Sequence, residues 1–153
     1  ALDNASGRYR FASVLAGDPI LLALTGATDA SSADRASLQF AFDCGTGLGA
    51  FSSTATASSP TNSAGPHVVR GAVRDKDGGQ AVYTATVDVQ VTVDSLCALV
   101  TEWSKNAGQS NSLCVKLATG QLEAFAREVD AQSGKAFTEE QAATLKRLAS
   151  QLQ

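Results

Sequence analysis

The chain has 153 residues, 44% of them apolar and 18% charged, with a net charge of −3 from 12 basic and 15 acidic side chains. That is the composition of a globular protein with room for one ordinary domain or two small ones. The charges are scattered singly, which argues against a basic stripe for phosphate backbones and a polybasic segment for anionic lipid, and no apolar run reaches the roughly 18 residues of a membrane span. Nucleic acid and membrane are therefore not expected partners, and any leader is expected to have been removed ahead of Ala1.

The first half reads as β. Residues 20–25, 36–42 and 82–93 alternate with period two, and in the last run Tyr83, Ala85, Val87, Val89, Val91 and Val93 share one face opposite Thr, Asp and Gln. Residues 68–74 lead into Asp75-Lys76-Asp77-Gly78-Gly79, a turn cluster that predicts a hairpin with the 82–93 strand. Short strands with Ser, Gly and Asn between them, and no helical pattern, predict an antiparallel β-sandwich. At Val93-Asp94-Ser95 the composition turns from Thr, Ser, Val and Gly to Leu, Ala, Glu, Gln and Lys, so the domain joint is placed there: 1–93 as the β domain, 94–153 as the helical one.

Ala5-Ser6-Gly7-Arg8-Tyr9, residues 17–25, the loop 28–34, Phe42-Asp43-Cys44-Gly45-Thr46-Gly47 and residues 73–79 follow in the order of the blocks of a polycystic kidney disease (PKD) domain. Over about residues 3–93 the chain resembles that family, which implies an immunoglobulin-like sandwich. It departs from the family's aromatic-Asp-Phe-Gly-Asp-Gly motif, with Cys44 in place of the Phe and Thr46 in place of the second Asp. The resemblance implies a calcium position near the N-terminal segment, with Asn4, Asp43 and Asp75 as oxygen ligands; Ca²⁺ takes six to eight such donors. The alternative for Asp43 and Asp75 is that each caps its turn through backbone amides. Family members with a cysteine at position 44 commonly have its partner just before Pro60, where this chain has Ser59, so Cys44 is expected to be a small buried thiol.

The second half reads as three or four short helices. Leu96, Leu99, Val100 and Trp103 share one face, and the sets Leu113/Val115/Leu117, Leu122/Phe125/Ala126/Val129 and Ala142/Leu145/Leu148/Ala149/Leu152 are assigned to further helices. Thr138-Glu139-Glu140-Gln141 is a capping box, and Gly108, Gly120 and Gly134 are placed to end or separate segments. Some sixty residues make a small core for which a staple is useful. Cys97 and Cys114, each beside a core leucine in a Ser-Leu-Cys repeat, are expected to supply it as a disulfide, with two buried free thiols as the alternative. A bridge implies an oxidising compartment, hence a secreted or cell-surface protein. Residues 95–100, 112–117, 122–125 and 129–135 resemble FIMAH, a small helical domain at the C-termini of secreted bacterial multidomain proteins, which implies an accessory role.

No catalytic set is legible. His67 is the single histidine, and no nucleophile elbow accompanies it. Gly45-Thr46-Gly47-Leu48-Gly49-Ala50 matches a dinucleotide fingerprint in letters only, because the Ser/Thr-rich residues after Phe51 predict a loop where a helix is needed. The expected function is a monomeric, non-catalytic accessory module that spaces or docks polysaccharide, a partner protein or the domains of a parent enzyme or surface protein. The alternative is a structural part of a surface assembly.

Overall fold

Eight named strands precede four C-terminal helices. The computed structural model describes residues 13–27 and 35–152, together with the backbone of two short strands, β1 (Leu2–Asp3) and β2 (Arg8–Tyr9). β1 and β2 pair antiparallel. β3 (Ser13–Leu15), β5 (Gln39–Asp43), β7 (Gly65–Arg74) and β8 (Gln80–Gln90) form a sheet in the order β3-β8-β7-β5. β4 (Ile20–Ala23) pairs antiparallel with β6 (Thr56–Ser59), Ile20 opposite Ser59 and Ala23 opposite Thr56.

Alternation in β8 does what period two requires. Ala85, Val87 and Val89 are buried, while Thr84, Thr86, Asp88 and Gln90 are exposed. The β7–β8 turn closes with the Asp75 amide donating to Gly79 O at 3.0 Å, and Gly78 supplies the left-handed φ of 91° that the tight reversal needs. β5 lies antiparallel to β7, Gln39 opposite Arg74 and Asp43 opposite Arg70. Arg74 donates twice to Gln39 Oε1, at 3.0 and 2.7 Å, with its guanidinium 4.1 Å from the Phe51 ring centre.

The 82–93 strand ends earlier than expected, at Gln90. Thr92 Oγ1 accepts from the Ser95 amide at 3.1 Å and Ser95 Oγ from the Thr92 amide at 2.9 Å, a reciprocal cap that starts a helix. Val93 therefore opens α1 (Val93–Trp103). There follow α2 (Ala107–Ala118), α3 (Leu122–Gln132) and α4 (Glu139–Ser150). Asn106 caps α2 through its side chain, so Gly108 lies inside the first turn and does not separate segments. Gly120 and Gly134 sit just past α2 and α3 with left-handed φ, as helix ends favour. The capping box at α4 forms as expected: Thr138 Oγ1 accepts from the Gln141 amide at 3.1 Å, and Gln141 Oε1 from the Thr138 amide at 2.9 Å.

Each helix packs on the next, and α1 also packs on α4. Leu96, Val100, Leu113, Leu117, Phe125, Val129, Phe137, Leu145 and Leu148 form the buried core of this region. Val115 is the exception among the helix-face leucines and valines, 53% exposed, because Leu113 and Leu117 are four apart and the residue midway between them points away. Lys116 of α2 reaches Glu128 of α3 at 2.6 Å, with Ser112 Oγ bonded to both.

The structure divides into two compact units: residues 1–14, 19–60 and 65–88, and residues 15–18, 61–64 and 89–153. The second unit thus owns two short segments of the β half. Gln151 receives the Ala64 amide at 2.8 Å, and Arg147 donates to Asn62 O at 3.1 Å. Thr61 Oγ1 accepts from the Gly17 amide at 2.9 Å and donates to Asp18 O at 2.6 Å. None of the described helices is long and apolar enough to cross a membrane.

Candidate functional site

β5 ends at Asp43, and the loop after it is built around that carboxylate. Its Oδ1 accepts the amides of Gly45 at 2.8 Å and Gly47 at 2.9 Å, while Oδ2 lies 3.8 Å from Arg70. The Gly45 amide and then the Gly47 amide hold the Asp43 carboxyl below the usual range for aspartate; burial opposes them, and the Arg70 guanidinium adds a lesser lowering effect. Asp75 makes the same kind of turn: its Oδ1 accepts the amides of Asp77 at 2.9 Å and Gly79 at 2.7 Å. Both acids therefore act as turn caps.

Of the expected calcium ligands, Asp43 and Asp75 stand apart along the β5–β7 ladder. Asn4 lies outside the described residues. Asp43 is in register with Arg70, and Asp75 stands five residues further along, so at about 3.3 Å per residue some 16 Å of ladder separates the two. The blocks 5–7 and 28–34 of the family resemblance also fall outside the described residues.

Cys44 is exposed, not buried. The reason is its place: with Asp43 buried and turned back onto the amides of Gly45 and Gly47, residue 44 is left on the outside of the loop. Residues 45–50 carry no helix, so no helix N-terminus is available to a pyrophosphate, as expected for that loop. His67 is half-buried at the head of β7, its Nδ1 3.0 Å from Gly65 O.

Cys97 of α1 and Cys114 of α2 are joined by a disulfide with their Cα atoms 5.1 Å apart, within the usual span for such a bridge. Both are half-buried beside Leu96 and Leu113, which are fully enclosed.

A small concavity lies within the second unit. Leu15–Asp18 crosses the Ser95, Ala98, Leu99 and Glu102 stripe of α1, four positions at i, i+3, i+4 and i+7, and leaves a notch of about 110 Å³. Pockets for metabolites or drug-sized ligands run to about 300–1,000 Å³, so this one takes a smaller object. Nothing in the sequence marks it, because its two walls are about eighty residues apart. Comparison with protein-family models and with curated proteins returns no match.

Proposed function

We propose that the chain is a non-catalytic accessory module of a secreted or cell-surface protein, a PKD-like immunoglobulin-type sandwich followed by a FIMAH-like helical unit, acting as a spacer or as a docking unit for protein or glycan. The observation that carries this reading is the Cys97–Cys114 bridge, which ties α1 to α2 and suits a chain that works in an oxidising compartment. The strand-then-helix order and the antiparallel pairing of β4 with β6 and β5 with β7 support the family likeness. Calcium is left out of the proposal, since Asp43 and Asp75 stand at opposite ends of one ladder.

Two measurements on never-reduced protein test it. Denaturing alkylation should label one thiol, Cys44, and purified chain should turn over a panel of esters and glycosides no faster than buffer. Three labelled thiols would remove the extracellular assignment. Turnover that tracks the protein through purification would remove the accessory role.

A further inference from the structure

The notch on α1 has a chemical character of its own. Its lining combines the apolar side chains of Leu15, Ala98 and Leu99 with two acids, Asp18 and Glu102. Neither carboxylate has an ion-pair partner among the described residues. Glu102 lies in the last turn of α1, where unpaired carbonyls already concentrate negative charge, and that turn has no basic residue. α3 shows how the same problem is met elsewhere: Asp130 in its last turn is paired with Lys146 of α4. Glu102 has no such counterpart among the described residues.

The notch is also fixed before anything enters it. Thr61 holds the Leu15–Asp18 segment through the Gly17 amide and the Asp18 carbonyl, and Gly17 lies flat on Leu99. A wall held in this way loses little freedom on binding.

We infer that this notch receives one lysine or arginine side chain from a partner protein, an inference that deepens the docking reading and rests on it. Lysine and arginine lay an alkyl stem on apolar surface and carry a charged head at its end, which matches a lining that combines apolar side chains with carboxylates. The volume equals that of three or four water molecules in the liquid, enough for one side chain. Two carboxylates are a poor set for a calcium ion, which asks for six to eight oxygens. The cation completes the end of α1 as Lys146 completes that of α3.

The test uses ¹⁵N-labelled full chain and three probes, the N-acetyl methylamides of lysine, arginine and norleucine. Each is titrated to about 50 mM, because a single side-chain contact is expected to bind only at millimolar concentration. The expected result is a set of amide shifts at Gly17, Asp18, Ala98, Leu99 and Glu102 with the two cationic probes. These shifts should fade at raised salt and be lost in the double variant Asp18→Asn/Glu102→Gln, whose spectrum elsewhere reports an intact fold. Absence of localised shifts, equal shifts with norleucine, or shifts that survive in the double variant would each overturn the assignment. Shifts at the same amides on concentrating the protein alone would give the notch to a second copy and overturn it too. The two readings fail separately: silence from these probes leaves the accessory role standing, whereas catalytic turnover removes that role and leaves the probe result unchanged.

Discussion

Gly17 is a point where one hydrogen atom decides the local structure. Its φ of 100° is left-handed, its amide is held by both Thr61 O and Thr61 Oγ1, and a Cβ there would run into the Leu99 side chain. Gly17→Ala is therefore expected to lower stability by about 2 kcal/mol, from overpacking and backbone strain together, visible as a lower melting temperature. Asp43 gives a pH signature. Because the amides of Gly45 and Gly47 and the Arg70 charge depress its carboxyl in the fold, the stability it contributes is fully present above the unfolded value near 3.9, and it is lost as pH falls through the lower folded value. Urea titrations across the acid range should show this loss in the native chain and a shallower acid limb in Asp43→Asn. The turn-capping role of Asp43 and Asp75 is legible in sequence because it is local, an acid two and four residues before amides it can reach. Thr61 is not legible, since its partners are more than forty residues away.

At the scale of elements, the disulfide offers the clearest test. It closes a loop of 17 residues in a unit whose core is small, so replacing both cysteines by serine should cost about 3 kcal/mol in the chain-entropy account. Reduction of the native chain should produce a similar shift in denaturant midpoint, and Cys44→Ser should not. The four helices are readable in sequence because each has a buried face at helical spacing and three of them have a side-chain cap written into the first turn. Val115 departs from its set because a spacing of two belongs to a strand and turns a helical residue away from its neighbours' face. β3 and β6 leave no trace for a simple reason: Ser13–Leu15 is three residues long, and Thr56–Ser59 has no apolar residue larger than alanine. Such strands are set by the backbone ladder of a neighbour, which no local pattern reports. Val93 has a different history, because valine serves a strand or a helix and the Thr92–Ser95 cap decides between them.

At the scale of the molecule, the division into units follows space and not the order of the chain. The helical unit begins at Val89 and annexes Leu15–Asp18 and Thr61–Ala64. A fragment of residues 89–153 contains the four C-terminal helices and both disulfide cysteines but lacks Ala64, which bonds Gln151 through its amide and its carbonyl, Asn62, the partner of Arg147, and Ala16, whose amide donates to Gln90 O. At about 1 kcal/mol for each of these four hydrogen bonds, it should be less stable than the same unit in the full chain by about 4 kcal/mol, before the loss of the Leu99 contact to Gly17 is counted. Hydrogen exchange at the α4 amides in fragment and full chain measures the difference. The same annexation sets a timetable during synthesis. Ala64 leaves the ribosome 87 residues before Gln151, its partner, so the second unit cannot close until the last helix has emerged. Vectorial folding of this unit thus waits for α4, and a nascent chain stalled before it would display Leu96, Val100 and Phe125 to chaperones in place of a finished core.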